Sequence, residues 1–341
     1  MTSLSRTLLA VAGIAFSAQV AAQATFYENP GFTGRTVRAN QEITRFDRYS
    51  FNDRTSSVVI VGNRWEVCEH SGFQGRCVVL RPGRYASLAA MDMDDRVSSV
   101  RRLDRADEVR AALAPVVGPE ALERLSFVAL DLEADAGWQD AMHGVSALIH
   151  TASPFPVAQP KDPQVLIRPA VEGTLRALRA AKAAGVSRVV LTSSTVAVTD
   201  TSKSGLQNEA DWCDPNAADT SAYGQSKTLA EQAAWEFAAA NGLHLTTINP
   251  GFVMGPPLDR HYGSSIGVIA RILRGKDPMV PMLDFPVVDV RDVAEMHLRA
   301  LERPAVSGMR ILAVAGNMTM AAMATELKRA YPKRRIATRV A

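Results

Sequence analysis

An internal repeat near the start of the chain constrains the fold more than any other feature of the sequence. The stretch YENPGFTG at residues 27–34 recurs as CEHSGFQG at residues 68–75, 41 positions later. The stretch NDRTSS at residues 52–57 recurs as DDRVSS at residues 94–99, 42 positions later. A repeat of this size, carried by short strands and glycine turns, is typical of paired Greek keys. Residues 25–102 are therefore predicted to form an all-β Greek-key sandwich.

The residues that define the repeat resemble the βγ-crystallin family. That family marks its folded hairpin by an aromatic residue, four residues, a second aromatic, one residue and a glycine. The first copy fits with Tyr27, Phe32 and Gly34, whereas the second has Cys68 in place of the leading aromatic. The resemblance implies a βγ-crystallin-like domain. Strand-like apolar runs within it lie at residues 58–61, 65–67 and 77–80.

The same resemblance implies calcium binding by the second repeated motif. In the family, two Asn/Asp residues, two free positions, a Ser/Thr and a Ser form this motif, and both copies here fit it. Ca²⁺ is a hard cation that prefers carboxylate, carbonyl and hydroxyl oxygens, and sites with few charges are expected to be weak. The alternative is that these Asp and Ser residues only cap turns. The implied ligands are Asn52, Asp53, Ser56, Asp94, Asp95 and Ser98.

The first 24 residues have the pattern of a secretory signal peptide. Arg6 supplies a positive start, and residues 8–16 form an apolar run too short to span a bilayer. A hydrophobic first strand is the alternative. Export predicts a secreted or periplasmic location and an oxidising compartment. There Cys68 and Cys77, on the two arms of one predicted hairpin, are expected to form a disulfide, with two buried thiols as the alternative.

Length and charge restrict the remaining choices. A chain of 341 residues is expected to hold about two domains. The net charge of +3 is small, and no run of Lys and Arg interleaves with aromatic residues, so no nucleic-acid partner is expected. No transmembrane segment is expected either.

Beyond residue 103 the pattern changes to apolar runs that alternate with long helical stretches. This alternation is typical of an α/β fold with a parallel sheet. The Ala-rich segments have high helix propensity. Strands are predicted at residues 125–130, 147–150, 188–192 and 245–248, and helices at residues 163–184 and 221–241.

The spacing of Tyr223 and Lys227 indicates carbonyl chemistry. Residues four apart on a helix share one face, so the ammonium can lie near the phenol and is expected to lower its pKa. Reduction of a carbonyl by hydride creates an alkoxide, which such a Tyr could protonate as a general acid. Upstream, a strand closes with Thr192-Ser193-Ser194, whose hydroxyls could hold the substrate oxygen. The alternative for an isolated Tyr and Lys pair is a solvated helix face.

In this combination, residues from about 98 to 341 resemble an extended short-chain dehydrogenase/reductase, most closely of the dihydroflavonol-4-reductase group. The resemblance implies a Rossmann-type fold, NADP as cofactor and an aldehyde or ketone as substrate. It implies a catalytic triad of Ser194, Tyr223 and Lys227, with Ser193 as the second choice for the serine. Its further motifs match Pro169, Gly173, Thr174 and residues 288–294. The implied cofactor contacts are Arg101, Asp131, Leu132, Thr151, Ala152, Ser153, Tyr223, Lys227, Pro250 and Val253.

One element of that family is missing from the sequence. Such enzymes begin with a strand, a Gly-rich turn and a helix that face the cofactor pyrophosphate. Neither Gly-x-Gly-x-x-Gly nor Gly-x-x-Gly-x-x-Gly follows a predicted strand in the chain. The closely spaced glycines at 31, 34, 72 and 75 belong to the hairpins of the repeat. The first strand is central in the sheet order, so its loss is expected to leave an unpaired edge beside residues 147–149. NADP binding is therefore expected to be weak or lost.

The join between the two modules is contested. Residues 97–103 fit the last strand of the sandwich and equally the second strand of the reductase. The predicted organisation is a signal peptide at 1–24, a crystallin-like domain at 25–102 and a truncated reductase at 103–341, which is expected to be clipped at its basic C-terminus as well. Two functions compete: an impaired NADP-dependent reductase, and an exported calcium-binding protein with a passenger domain. A cytoplasmic location would suit the first, and recombination at the shared Ser-Val-Arg stretch is a third origin for the join.

Overall fold

A computed structural model describes residues 8–11, 23–103, 105–155, 160, 162–259 and 262–340. The chain divides into two compact units. One comprises residues 16–127, and the other comprises residues 1–15 together with 128–341. In the described part of the chain, no helix is long and apolar enough to cross a membrane.

The first unit contains two antiparallel sheets, as the repeat predicts. One sheet has four strands in the order β3-β2-β4-β7, and the other has three in the order β6-β5-β8. The predicted runs at 58–61, 65–67 and 77–80 all lie in strands. The strands, numbered along the whole chain after β1 (Leu8–Val11), are β2 (Gln23–Asn29), β3 (Thr33–Ala39), β4 (Ser57–Val61), β5 (Arg64–His70), β6 (Gln74–Leu80), β7 (Gly83–Tyr85) and β8 (Ser99–Leu103).

The two copies of the repeat form the same hairpin with the same hydrogen bonds. In the first copy, the Ser57 hydroxyl accepts from the Phe32 N–H at 3.0 Å and donates to the carbonyl oxygen of Asn29. In the second, the Ser99 hydroxyl accepts from the Phe73 N–H at 3.0 Å and donates to a backbone carbonyl in the same way. The last serine of each calcium-type motif therefore fixes the folded hairpin of its own repeat. A tight core of large side chains lies within this unit, including Phe26, Phe46, Phe51, Trp65 and Leu80.

Cys68 and Cys77 face each other directly across β5 and β6. Their sulfur atoms lie at bonding distance, with the Cα atoms 4.1 Å apart. We expect the oxidised protein to show one intramolecular disulfide. Intact mass after alkylation should reveal two more adducts once the protein has been reduced. Cys213, which is buried in the other unit, is the internal control for alkylation efficiency in denaturant. Equal adduct counts before and after reduction would favour the two-thiol alternative.

The second unit is built around a parallel sheet in the order β1-β9-β10-β11-β14, with a smaller sheet in the order β12-β13-β15. Its strands are β9 (Ala147–His150), β10 (Arg188–Thr192), β11 (His244–Pro250), β12 (Phe252–Met254), β13 (Asp284–Asp289), β14 (Arg310–Ala313) and β15 (Gly316–Thr319). The helices of the whole chain are α1 (Arg105–Leu113), α2 (Pro119–Glu123), α3 (Trp138–Ala141), α4 (Gln164–Ala183), α5 (Ala222–Asn241), α6 (Ser264–Arg274), α7 (Val290–Glu302) and α8 (Met320–Ala330).

The sheet edge beside β9 is not left unpaired, contrary to the sequence-based expectation. Strand β1 runs parallel to β9, with Leu8 opposite Ala147 and Val11 opposite His150. In the doubly wound order, the place beside the fourth strand belongs to the first strand. A segment of the predicted signal peptide thus occupies that place, which agrees with the alternative of a hydrophobic first strand for these four residues. The rest of the predicted signal peptide up to residue 22 lies outside the described residues.

The structure decides between the two alternatives for residues 97–103, and it contradicts the predicted strand at residues 125–130. Residues 99–103 belong to the sandwich, because β8 pairs antiparallel with β5 along its whole length. Residues 125–130 form no strand, and Phe127 and Val128 are 41% and 53% exposed. A strand needs a neighbour for its backbone N–H and C=O groups. Residues 99–103, the other predicted candidate for the second strand of the reductase sheet, pair with β5 inside the sandwich. In the described part of the α/β unit, residues 125–130 therefore have no such strand beside them.

Candidate functional site

The predicted catalytic residues converge at the carboxyl end of the parallel sheet. Ser194 follows β10, and Tyr223 lies in the first turn of α5. Ser221 caps that helix by accepting a hydrogen bond from the Gly224 N–H at 3.1 Å. This cap fixes where the helix begins and therefore where the phenol lies. Lys227 follows one turn later on the same helix face.

The Ser194 hydroxyl accepts from the Val196 N–H at 3.4 Å and lies close enough to the Tyr223 phenol to influence its pKa. Burial raises the pKa of the Tyr223 phenol, and the neighbouring Ser194 side chain offsets this only in part. The sequence-based expectation of a lowered pKa is thus wrong for this structure. The physical reason is that desolvation of the phenolate outweighs the lowering effect of Ser194. The Lys227 Nζ lies 5.8 Å from the Tyr223 ring centroid. The phenol stays protonated at neutral pH, which is the form a general acid requires. Phe155 packs edge-on against the Tyr223 ring at 4.7 Å.

Lys227 is almost fully buried, with 8% of its surface exposed. Burial lowers its pKa to about 8, while the carboxylate of Glu231 acts in the opposite direction. His150, at the end of β9, is also buried, and burial together with the nearby Lys227 lowers its pKa to about 4. Both ring nitrogens of His150 lack a hydrogen-bond partner among the described residues. His150 is therefore neutral at physiological pH and Lys227 is largely protonated.

Glu231 is a residue of this site that the sequence reasoning missed. It is 1% exposed and lies one turn beyond Lys227 on α5. The signal was available in part, because Tyr223, Lys227 and Glu231 follow one another at intervals of four. Ser193, the second choice for the catalytic serine, donates its hydroxyl to Glu231 at 2.5 Å. That bond commits Ser193 to Glu231, so the geometry favours Ser194 as the substrate-facing serine.

The predicted cofactor residues of β9, β11 and β12 lie around the same end of the sheet. Thr151, Ala152 and Ser153 follow β9 directly. Ala152, Ser153 and Thr174 line a small cavity with Lys227 and Glu231. The Ser153 hydroxyl has no hydrogen-bond partner within the described ranges. Pro250 ends β11 and Val253 is the middle residue of β12.

Asp131 and Leu132 lie at the turn that follows residues 125–130. The Asp131 carboxylate accepts from the Glu133 N–H at 2.9 Å, and its carbonyl oxygen accepts from the Trp138 indole at 2.9 Å. Leu132 is buried against α4, where a Cβ at Gly173 would come within 2.9 Å of its side chain. These contacts explain the turn and the close helix packing. The predicted contact with adenine remains untested by them.

Arg101 is the one predicted cofactor residue that the structure places in the other unit. It lies in β8 of the sandwich, and its guanidinium donates to the Glu66 carboxylate at 2.7 Å and lies 5.1 Å from the Phe73 ring centroid. The assignment to the NADP 2′-phosphate depended on a reductase strand at 98–103. That strand pairs within the sandwich, where Arg101 is a sheet residue with its own carboxylate partner, and its contact with the 2′-phosphate stays a prediction.

The two calcium-type motifs pair reciprocally within the sandwich. The Ser56 hydroxyl of the first motif donates to the Asp95 carboxylate at 3.1 Å, and the Ser98 hydroxyl of the second donates to the Asp53 carboxylate at 3.0 Å. Both Asp53 and Asp95 have positive φ, of 51° and 50°. The remaining predicted ligands differ: Asn52 donates to Asp53 at 2.7 Å, whereas Asp94 Oδ1 is buried without a partner among the described residues.

The residues present fit half of a dinucleotide site. On the side where the family resemblance implies nicotinamide, the buried Ser153 hydroxyl, which has no partner among the described residues, shares a cavity with Lys227. For the phosphate side, the sequence carries no Gly-rich turn of the dinucleotide-binding type. Residues 12–22, which follow β1, lie outside the described part of the structure.

A β-sandwich followed by a Rossmann-type α/β unit with a parallel sheet defines the class of this protein. Residues 72–315 match the model of the NAD dependent epimerase/dehydratase family, and residues 23–103 match that of the Beta/Gamma crystallin family. The chain therefore belongs to the NAD-dependent epimerase/dehydratase family and carries a βγ-crystallin domain.

Individual relatives of the α/β unit are reductases. Cinnamoyl-CoA reductase CAD2 of Medicago truncatula is 37% identical over 203 residues, which cover 56% of this chain and 61% of that protein. An anthocyanidin reductase of Vitis vinifera is 28% identical over 284 residues, covering 78% and 84%. Among solved structures, yeast methylglyoxal/isovaleraldehyde reductase Gre2 complexed with NADPH is 30% identical with a TM-score of 0.60, covering 68% of this chain and 75% of that one. The chain thus spans about three fifths of the length of the first of these relatives.

Proposed function

We propose that the α/β unit is an NADP-dependent reductase of a small aldehyde or ketone. The observation that carries the proposal is the convergence of Ser194, after β10, with Tyr223 and the buried Lys227 on one face of α5, where the Lys227 Nζ lies 5.8 Å from the Tyr223 ring centroid. The relatives named above are reductases, and one of them is complexed with NADPH. Both facts support the same reaction class.

In the proposed mechanism, each side chain of the triad has one task. NADPH, when bound, supplies the hydride. The Ser194 hydroxyl holds the substrate carbonyl oxygen, and the protonated Tyr223 phenol donates its proton to that oxygen as negative charge develops there. Lys227, positively charged below about pH 8, favours the phenolate that Tyr223 becomes after donating its proton.

We further propose that cofactor binding is impaired. A Gly-rich turn would supply hydrogen bonds to a charged pyrophosphate, each worth about 1.5–3 kcal/mol. Two such bonds correspond to roughly a 100-fold to 10,000-fold change in affinity. Reductase activity would then be limited by cofactor occupancy rather than by the triad.

Fluorescence titration of the purified full chain with NADPH tests this proposal. We expect binding that needs high micromolar cofactor or more, together with oxidation of NADPH when methylglyoxal or isovaleraldehyde is added. A Lys227→Met chain is the control for binding at this site, because it removes the ammonium that would face the cofactor. Saturation at low micromolar NADPH would contradict the impairment, and no binding at millimolar NADPH would contradict the reductase proposal.

The sandwich supports a second candidate function, calcium binding. The reciprocal Ser56–Asp95 and Ser98–Asp53 pairs bring a carboxylate and a hydroxyl from different repeats together at two places. The buried Asp94 Oδ1, for which the described residues offer no hydrogen-bond partner, adds a further oxygen. Oxygen donors of these types suit Ca²⁺. An exported, disulfide-bonded protein would meet millimolar Ca²⁺, so this proposal goes together with a secreted or periplasmic location.

A further inference from the structure

Glu231 occupies a position where a carboxylate is strongly unfavourable unless it is bound on several sides. Its side chain is fully buried in the ion pair with Arg310, whose side chain is 9% exposed. The Arg310 Nε donates to Glu231 Oε1 at 2.7 Å. A buried charge without such partners would be neutralised or would destabilise the fold.

The other donors to Glu231 come from the two strands that end at the catalytic site. Thr247 of β11 donates its hydroxyl at 3.0 Å and Asn249 donates its amide at 2.8 Å. Ser193, directly after β10, donates at 2.5 Å. The Trp235 indole donates from the next turn of α5 at 3.3 Å. One carboxylate therefore ties α5 to β10, β11 and β14.

This network reaches the triad at two points. Asn249 donates to Glu231 and also to the carbonyl oxygen of Ser194, at 3.2 Å. Ser193 is the backbone neighbour of Ser194, and its own N–H donates to the Ile248 carbonyl at 2.8 Å. The backbone of Ser194 is thereby held from both sides. Along the helix, Glu231 lies on the face that carries Lys227.

We propose that Glu231 is a positioning residue for the triad: its carboxylate fixes the end of β10 that carries Ser194 and supplies the negative charge that faces Lys227. The role of Glu231 in positioning the triad rests on the reductase function proposed above. The charge coupling between Glu231 and Lys227 does not depend on that function, because it exists in the protein without cofactor.

The ionisable groups that face Lys227 determine how its pKa should respond to the charge of Glu231. On α5 they are Tyr223, which stays neutral because burial raises its pKa, and Glu231. From β9 comes His150, whose pKa of about 4 leaves it neutral at pH 7. Arg310 of β14 lies on the other side of Glu231 and partly neutralises it. Glu231 thus supplies the negative charge that raises the pKa of Lys227.

The test is an NMR titration of the full chain labelled with ¹³C at the lysine Cε, without NADPH. The Lys227 signal is assigned by its loss in Lys227→Met. In the unsubstituted protein it should titrate near pH 8. Glu231→Gln removes the negative charge and should lower the pKa of Lys227 by about one unit. Arg310→Gln removes the cation that partly neutralises Glu231, so it should raise the pKa of Lys227. Glu236→Gln, the same change at an exposed position of α5, should leave it unchanged.

Opposite shifts in the two buried variants would support the proposal, since a merely structural ion pair would give shifts of the same sign or none. Unchanged pKa values, or shifts in the same direction, would overturn it. If Glu231→Gln fails to fold by circular dichroism, Arg310→Gln is compared with Arg310→Lys, which disturbs the same packing but keeps the charge. A rise in the pKa of Lys227 in Arg310→Gln alone supports the proposal, and an equal rise in both, caused by hydration of Lys227, overturns it. Failure of NADPH binding would leave this titration untouched, so the two proposals fail separately.

Discussion

Replacement of Tyr223 by Phe should lower NADPH-dependent carbonyl reduction by about 100-fold to 10,000-fold, the range for loss of a general acid. Phe keeps the ring that packs against Phe155 and lacks only the hydroxyl, so the fold should be retained. Ser194 would still be present to hold the substrate oxygen, which leaves a small residual rate. Turnover is measured by NADPH absorbance with methylglyoxal, at the highest usable cofactor concentration so that weak binding does not mask the chemical step.

Tyr331→Phe is the matched control for this variant. Tyr331 lies in the same compact unit, is 49% exposed and follows α8, so the same chemical change there should leave turnover as it was. NADPH titration of the Tyr223→Phe chain separates the proton-donor role from binding, since affinity should change far less than the rate. Retention of full turnover without the Tyr223 hydroxyl would exclude Tyr223 as the acid.

The local parts of the site could be predicted from the sequence. A helix from 221 to 241 follows from its composition, and a spacing of four then places Tyr223 and Lys227 on one face whatever the rest of the fold. The end of β10 at Thr192 and the serines after it follow from a short apolar run. The repeat likewise predicted both hairpins of the sandwich, because each copy brings its own glycines and serine.

The parts that failed depend on partners distant in the chain. Residues 125–130 have the composition of a strand, yet a strand forms only where another offers its backbone groups. The sequence of residues 99–103 fits either sheet equally well. Only their pairing with β5 in the folded chain places them in the sandwich, and this pairing also determines which groups surround Arg101. Glu231 meets Arg310 over a separation of 79 residues, so only the folded chain reveals the pair. The pKa of Tyr223 depends on burial, which spacing alone cannot give.

Calcium should stabilise the sandwich by an amount large enough to measure in the full chain. Weak extracellular-type sites have a Kd of roughly 0.1–1 mM. At about 10 mM Ca²⁺, each site then adds about 1.4–2.7 kcal/mol to the free energy of unfolding. Because each site combines one carboxylate with one hydroxyl from the other repeat, Asp53→Asn and Asp95→Asn should each remove about half of the gain, and the double variant all of it. Scanning calorimetry with and without Ca²⁺ measures the shift.

Asparagine is the right replacement because Asp53 and Asp95 have left-handed backbone conformations, which Asn tolerates. A loss of the calcium response would then reflect the lost charge rather than backbone strain. Asp92 provides the matched control: it has a φ of 54° in the same module, and its exposed carboxylate pairs with Arg76 rather than with a motif serine. Asp92→Asn should keep the full response. If the double variant were stabilised by Ca²⁺ as much as the unsubstituted chain, the two motifs would be turn caps and the calcium would bind elsewhere.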